Sequence, residues 1–229
     1  MENNQKKESI FGDLFSVVWT VPNVLTFIRI ILIPVFAWLF YTSTVENHRM
    51  WWALGILAAS GLTDFLDGKI ARRFNQVSPL GKVLDPVADK LTQITLAVIM
   101  FLEFLHAESS AMHAFSWVFL LFIAKELVMV IGGAVMISKG LRPGAAEIYG
   151  KAATFAFYAV MIILMAFGPE VGVVSRYYPN VVIPEWLAMT LVVIAAVMTF
   201  VAFASYMPET YRQFKGYWAK KDAEKNKNK

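Results

Sequence analysis

The chain lacks cysteine altogether, and histidine occurs only three times among its 229 residues. The absence of cysteine excludes disulfide bonds, thiolate metal ligands and a cysteine nucleophile. Charged residues are also scarce, at 17% of the sequence, whereas hydrophobic residues make up 58%. The mean hydropathy of +0.55 is too high for an ordinary soluble domain. The composition therefore favours a protein that is embedded in a membrane.

Six apolar segments are long enough to cross a bilayer as helices, and they lie near residues 23–43, 51–73, 80–105, 114–138, 146–168 and 185–207. Because backbone polar groups must be satisfied within the chain in lipid, we predict an all-α membrane protein with six transmembrane helices. Residues 8–19 predict an amphipathic helix on the membrane surface. The predicted organisation is an N-terminal tail with this surface helix (1–21), a six-helix domain (22–211) and a basic tail that is disordered or partly helical (212–229).

Lysine and arginine are distributed unequally between the predicted connections. With six spans, both termini lie on one face, which carries nearly all of these cations, while the opposite face carries only Arg49 and Arg176. Positive charge in short connections favours the cytoplasmic side. We therefore predict a multi-pass protein of the cell membrane with both termini in the cytoplasm.

Four aspartates interrupt the second and third apolar segments, where ionisable groups are costly and so indicate a functional site. Asp64 and Asp67 are three residues apart, and Asp85 and Asp89 are four apart, so on helices each pair projects from one face. Two such helices joined by a short turn would bring the four carboxylates together. Four unpaired negative charges could not share a low-dielectric pocket. Two divalent cations, which prefer oxygen ligands, would neutralise them, so we predict a site for two Mg²⁺ or Mn²⁺ ions.

The residues around these aspartates resemble the signature of the CDP-alcohol phosphatidyltransferase family, Asp-x2-Asp-Gly-x2-Ala-Arg-x8-Gly-x3-Asp-x3-Asp. Every fixed position is filled at the right spacing, by Asp64, Asp67, Gly68, Ala71, Arg72, Gly81, Asp85 and Asp89. The segment Asn23-x2-Thr26-x2-Arg29 and the residues that flank the motif are similar to those of bacterial phosphatidylglycerophosphate synthases, a branch of that family.

The resemblance implies roles for individual residues. Asp64, Asp67 and Asp85 would ligate the metals, and Asp89 would contact the second metal and act as the general base. The CDP group would be bound by Gly68, Ala71, Arg72, Gly81, Asp64 and Thr26. The implied lipid substrate is CDP-diacylglycerol, the implied product of its cleavage is CMP, and the implied assembly is a homodimer.

Two further cations, Lys125 and Lys151, lie in the apolar fourth and fifth segments. They could balance the charge of the aspartates, or they could bind a phosphate on the acceptor alcohol. The second interpretation, together with the resemblance, favours sn-glycerol 3-phosphate as the acceptor and phosphatidylglycerophosphate as the product. The alternatives are a cardiolipin synthase, whose acceptor is phosphatidylglycerol, and a family member with another acceptor.

A transporter is the non-enzymatic alternative, because buried charges within several spans are also typical of transporters. The sequence shows no internal repeat, however, and its aspartates cluster at one predicted membrane face rather than at the midplane. We therefore expect an enzyme of phospholipid biosynthesis that is surrounded by membrane lipids and has no nucleic-acid partner.

Overall fold

A computed structural model describes residues 20–44, 46–73, 78, 80–141 and 148–227 of the chain. For residues 62, 64–73, 82, 83 and 220–227 it describes the backbone without the side chains. The predicted surface helix at 8–19 lies outside the described residues. The chain divides into two compact units between Ile99 and Met100, and each unit is described by itself.

Every secondary-structure element in the described part of the chain is a helix, which confirms the all-α prediction. The helices are α1 (Val21–Tyr41), α2 (Arg49–Arg73), α3 (Gly81–Leu105), α4 (Ser110–Ser138), α5 (Ile148–Phe167), α6 (Val173–Tyr177) and α7 (Glu185–Lys227). Each predicted span coincides with one of these helices. The short helix α6 is not predicted by the hydropathy pattern, because it lies in the connection between the last two apolar segments.

Four helical segments are long and apolar enough to cross a membrane, namely α1, α4, α5 and residues Glu185–Ala219 of α7. The chain is therefore a multi-pass membrane protein. Helices α2 and α3 have 25 residues each, which is a sufficient length for a span. Their mean hydropathy is lower because they carry the charged residues of the aspartate motif.

Local sequence signals account for several helix ends. The Thr20 side chain caps α1 by accepting a hydrogen bond from the backbone N–H of Asn23 at 3.3 Å. Pro22 lies in the first turn, where a backbone N–H would have no acceptor within the helix, so the lack of one in proline costs nothing. Ser109 caps α4 in the same way, by accepting from the N–H of Met112 at 3.4 Å. Gly140, with φ of +71°, follows the end of α4 in the left-handed conformation that glycine adopts without strain.

In the first unit, α1 packs against α2. One face of α1 is buried along its whole length, and its members are Asn23, Thr26, Arg29, Ile33, Phe36 and Phe40, together with Pro22. The N-terminal half of this face is polar and the C-terminal half is apolar. Because buried polar groups require hydrogen-bond partners, the polar half predicts a polar neighbour at that end of α1.

In the second unit, α4 and α5 both pack against α7. Aromatic rings connect α4 to its neighbours: the Phe104 and Phe119 ring centroids are 5.0 Å apart, and those of Phe122 and Phe157 are 5.2 Å apart. Large apolar side chains on the outer faces, such as Ile131 and Phe155, remain exposed. An apolar core together with an apolar exterior is the pattern expected of helices surrounded by lipid.

Helix α7 is longer than the predicted span at 185–207, since it continues without a break for 43 residues to Lys227. The basic tail is therefore helical as far as Lys227, which agrees with the second of its two predicted alternatives, a partly helical tail. Residues 209–227 consist mainly of good helix formers such as Lys, Glu, Ala and Arg. They also extend a helix that already exists, so they need no new nucleation.

Candidate active site

The aspartate motif occupies the adjoining ends of two consecutive helices. Asp64 and Asp67 lie in the last three turns of α2, which ends at Arg73, while Asp85 and Asp89 lie in the first three turns of α3. The helical placement on which the spacing argument depends is thus confirmed. The side chains of Asp64, Asp67 and Arg72 lie outside the described residues, so their convergence with α3 remains a prediction.

Asp85 is paired with a buried arginine from α1. Arg29 Nη1 donates to Asp85 Oδ1 at 3.3 Å. The Arg29 residue is only 2% exposed, whereas the Asp85 side chain is 54% exposed. A buried guanidinium requires a nearby anion, because the cost of removing it from water is several kcal/mol. The pair therefore joins the polar face of α1 to the helix that carries two of the motif aspartates.

A second polar contact fixes the beginning of α3 against α1. Ser78 Oγ donates to Asn23 Oδ1 at 2.8 Å and accepts from the backbone N–H of Gly81 at 2.8 Å. A Cβ atom at residue 81 would lie 2.5 Å from Asn23 Oδ1 and 3.0 Å from Ser78 Oγ. Only glycine fits at this position without a shift of its neighbours. The structure thus gives Gly81 a packing role, alongside the nucleotide role that the resemblance implies.

Asp89, one turn beyond Asp85, is also held by a neighbour. Gln93 Nε2 donates to Asp89 Oδ2 at 2.9 Å, and Gln93 itself is only 3% exposed. Because both residues lie on α3, four positions apart, the hydrogen bond fixes the rotamer of the carboxylate relative to the helix. Asp85 and Asp89 are therefore presented from one helix with defined orientations.

The donor atoms of the motif meet the chemical requirements of a divalent metal. Carboxylate oxygens are the ligands that Mg²⁺ and Mn²⁺ prefer, and the exposure of Asp85 leaves its oxygens accessible. Within the described side chains, which do not include those of Asp64 and Asp67, no group of three or more His, Asp or Glu residues could hold a metal ion. The donor chemistry of the motif fits such a metal, and its geometry remains a prediction.

Thr26 lies on the buried face of α1 between Asn23 and Arg29. Its hydroxyl donates to the carbonyl oxygen of Pro22 at 3.1 Å, one turn back in the same helix. This bond satisfies a buried polar group within α1. The predicted contact of Thr26 with CDP is not tested by this geometry.

The two predicted acceptor lysines lie in the second unit. Lys125 Nζ contacts the carboxylate of Glu126, and the two side chains are 15% and 5% exposed. This neighbouring charge agrees with the charge-balance interpretation of Lys125. An ammonium group has three donors, however, so it can contact more than one group. Lys151 lies in the first turns of α5 and is exposed.

The two lysines lie at similar depths. Helices α4 and α5 run in opposite directions and meet where Phe122 contacts Phe157. Lys125 is three residues from Phe122, and Lys151 is six residues from Phe157, on the same side of this contact. At 1.5 Å per residue the difference in depth is only about 4.5 Å. Both cations thus lie on the same side of the Phe122–Phe157 contact, at nearly the same distance along the helices.

The family model described as CDP-alcohol phosphatidyltransferase matches residues 19–201. This chain belongs to the CDP-alcohol phosphatidyltransferase family. It is therefore a transferase of phospholipid biosynthesis in a membrane, and the resemblance drawn from the motif is confirmed at the level of the family.

Curated members of this family with two different names are similar to the chain. A cardiolipin synthase (CMP-forming) of Streptomyces coelicolor is 36% identical over 154 residues, which are 66% of this chain and 67% of that protein. A CDP-diacylglycerol–glycerol-3-phosphate 3-phosphatidyltransferase of Pseudomonas fluorescens is 34% identical over 154 residues, 65% of this chain and 73% of that protein. The protein of the same name from Yersinia pestis is 32% identical over 188 residues, 82% of this chain and 92% of that protein.

Sequence reasoning did not assign site roles to Asn23, Arg29, Ser78 or Gln93, although the structure connects all four to the motif helix. A signal for the first two was available. Asn23, Thr26 and Arg29 recur every three residues on a helix that is otherwise apolar, which predicts a polar face. Gln93 follows Asp89 by four residues, the spacing of a helical side-chain pair. For Ser78 only the helix-start pattern before Gly81 was visible.

Proposed function

We propose that this member of the CDP-alcohol phosphatidyltransferase family transfers the phosphatidyl group of CDP-diacylglycerol to sn-glycerol 3-phosphate, releasing CMP and forming phosphatidylglycerophosphate. The observation that carries the proposal is the complete aspartate motif at the adjoining ends of α2 and α3. The Yersinia pestis relative of that name supports the choice of acceptor, since the match extends over 92% of its length.

The four motif aspartates, Asp64, Asp67, Asp85 and Asp89, would hold two Mg²⁺ or Mn²⁺ ions, which would supply charge neutralisation at the pyrophosphate. Gly68 and Ala71 are small residues three apart in sequence, which would let the CDP group approach the backbone of α2, and Gly81 and Thr26 would border the same subsite. Arg72 can donate two parallel hydrogen bonds to phosphate oxygens.

Asp89 would act as the general base in the transfer itself. It would take the proton of the acceptor hydroxyl while the hydroxyl oxygen forms a bond to the lipid-side phosphorus. The bond from that phosphorus to the CMP oxygen breaks, and CMP leaves. The hydrogen bond from Gln93 keeps the carboxylate in one orientation during this step.

Lys125 and Lys151 are the candidates for binding the acceptor phosphate. They are cations at similar depth in neighbouring helices of the second unit, and a phosphate monoester carries close to two negative charges at neutral pH. An acceptor without a phosphate would not require them. Glu126 beside Lys125 would then orient the ammonium group as well as balance its charge.

The topology we propose has six spans, with α2 and α3 crossing the membrane besides the four most apolar segments. The residues at the helix ends support an orientation in which both termini lie in the cytoplasm. Exposed tryptophans lie where α1 ends and α2 begins, at Trp38 and Trp52, and where α4 and α7 begin, at Trp117 and Trp186. Tryptophan favours the interface, and most lysines and arginines, such as Arg73, Lys82 and Lys139, lie at or near the other helix ends. The motif would therefore face the cytoplasm.

A homodimer is implied by the family resemblance and forms part of the proposal. Helix α4 has the smallest buried share of the four apolar spans, 17% of its most apolar window, so its surface is the most available for a second copy. Light scattering of the purified protein, corrected for bound detergent, measures the assembly directly. A mass of one chain would contradict this part of the proposal.

An acceptor screen tests the proposed reaction. Purified protein would be incubated with CDP-diacylglycerol, Mg²⁺ or Mn²⁺ and one acceptor at a time: glycerol 3-phosphate, inositol phosphate, serine or phosphatidylglycerol. We expect CMP release and phosphatidylglycerophosphate only with glycerol 3-phosphate. The second candidate, a cardiolipin synthase, is favoured by the 36% identity to the Streptomyces coelicolor enzyme. Cardiolipin from phosphatidylglycerol, without phosphatidylglycerophosphate, would identify that activity, and no CMP release with any acceptor would contradict both.

A further inference from the structure

Helices α4 and α7 lie side by side in the second unit, and they are in contact at both ends of α4. At their N-terminal ends, the Ser109 hydroxyl contacts the Glu185 carboxylate. At the C-terminal end of α4, Lys139 Nζ lies 5.2 Å from the Tyr217 ring centroid of α7 and 5.4 Å from that of Trp218. The two helices therefore run parallel, and residues 217–218 of α7 lie at the level of the end of α4.

The lengths of these helices place the Lys139 contact at a definite depth. Helix α4 has 29 residues and is about 43 Å long. The hydrocarbon core of a bilayer is about 30 Å thick, and about 40–45 Å when the headgroups are included. A helix that crosses the membrane and has this length therefore reaches through both headgroup layers. Lys139, Tyr217 and Trp218 then lie among the lipid headgroups at one surface.

The side chains at this level suit an anionic headgroup. Trp218 is 49% exposed, and its ring and that of Tyr217 are tilted by 80° with centroids 5.8 Å apart, beneath the Lys139 ammonium group. Lys215 is exposed on the adjacent turn of α7. We call Lys139, Lys215, Tyr217 and Trp218 the headgroup cluster. Interfacial rings bury their apolar part in lipid, while the two ammonium groups can donate to phosphate oxygens.

The charge around the headgroup cluster is positive. Glu209, six residues before Lys215 on α7, is paired with a cation, since its Oε2 lies 4.0 Å from Arg212 Nη1, and both of these side chains are exposed. Beyond the cluster, residues 219–227 contain four lysines against Asp222 and Glu224. Basic residues that lie next to a membrane span attract anionic lipids, and each cation near the surface raises the affinity for an anionic membrane by about fivefold.

We propose that the headgroup cluster binds the phosphate of an anionic phospholipid in the leaflet at which α4 and α7 end. This binding is separate from the transfer reaction and rests on the proposed crossing of the membrane by α4 and α7, not on the identity of the acceptor. It assigns a function to the C-terminal extension of α7, which the hydropathy pattern alone treats as a tail.

Lipid enrichment in nanodiscs tests the proposal without measuring activity. The protein would be placed in nanodiscs of phosphatidylcholine with a minor fraction of phosphatidylglycerol, and the lipids that remain bound after detergent extraction would be counted by native mass spectrometry. We expect selective retention of phosphatidylglycerol. Lys139→Gln with Lys215→Gln should reduce this retention by at least fivefold, and Trp218→Leu should also reduce it.

Matched variants separate lipid binding from damage to the fold. Arginine at both lysine positions keeps the charge and should keep the retention. Trp186→Leu changes an even more exposed tryptophan, at the N-terminal end of α7, and should have no effect on the retention. Glu209→Gln removes the nearby acid and should increase it. Equal retention in the glutamine double variant and the wild type would overturn the proposal, as would complete displacement of the lipid by excess inorganic phosphate.

Discussion

Replacement of Gly81 by alanine tests whether the position of α3 depends on its contact with α1. The new methyl group would lie 2.5 Å from Asn23 Oδ1, which is too close for any unstrained contact. Asn23 is 1% exposed, and its Oδ1 already accepts from Ser78 Oγ at 2.8 Å, so the amide cannot turn into water. Either the first turn of α3 shifts, or the Asn23–Ser78 hydrogen bond breaks.

The magnitude follows from these two routes. A methyl group forced into a well-packed site costs about 1–3 kcal/mol, and a buried polar group that loses its partner costs about 1–3 kcal/mol. The gain in helix propensity from glycine to alanine is small here, because Gly81 is the first residue of α3. We expect a loss of about 2 kcal/mol, which corresponds to a fall in Tm of about 4–8 °C for a chain of this size.

The assay is thermal unfolding of the purified protein in detergent, together with kcat and KM for CDP-diacylglycerol. Gly55→Ala is the matched control, because a Cβ at Gly55 of α2 would have no atom within 4 Å, and it should leave Tm unchanged or raise it. The double variant Asn23→Ala with Gly81→Ala should recover part of the loss by making room for the methyl group. An unchanged Tm with a raised KM for CDP-diacylglycerol would refute the steric argument and leave only the nucleotide role.

Three further predictions concern the proposed chemistry, and a fourth concerns the stability of the Arg29–Asp85 pair. Asp67→Asn removes a metal ligand and should abolish turnover, as EDTA should reversibly, whereas full activity in a chelated preparation would refute the two-metal mechanism. Asp89→Asn should lower kcat by about 10²–10⁴-fold with CDP-diacylglycerol binding retained, and a near-normal kcat would exclude Asp89 as the base. Lys125→Met or Lys151→Met should raise the KM for glycerol 3-phosphate with little change in the KM for CDP-diacylglycerol, and these lysines are structural if both variants keep the wild-type value. Arg29→Met should destabilise the metal-free protein by about 1–2 kcal/mol. This is less than the roughly 3–5 kcal/mol lost when a fully buried pair is broken, because the Asp85 side chain is 54% exposed. An unchanged Tm would show that the Arg29–Asp85 pair contributes nothing to stability.

The sequence alone was sufficient to predict the apolar helices and the family. Apolar segments of about 20 residues form helices in a membrane, because the helix is the only conformation in which a single segment satisfies all of its own backbone hydrogen bonds. Hydropathy therefore locates α1 to α5 to within a few residues. The aspartate motif is equally local, because its spacing of three and four residues follows the turn of a helix. The spacing and the adjoining apolar segments together are enough to assign its residues to the ends of α2 and α3.

Only the tertiary structure decided the contacts between residues that are far apart in the chain. The Arg29–Asp85 and Asn23–Ser78 pairs join positions more than 50 residues apart, and no periodicity within a segment predicts which polar group on α1 meets which group on α3. The same is true of Lys139, whose contact with Tyr217 and Trp218 depends on the packing of α4 beside α7. Hydropathy determines that a helix forms and which of its faces is polar, whereas partners are chosen by the relative positions of whole helices, which local sequence does not contain.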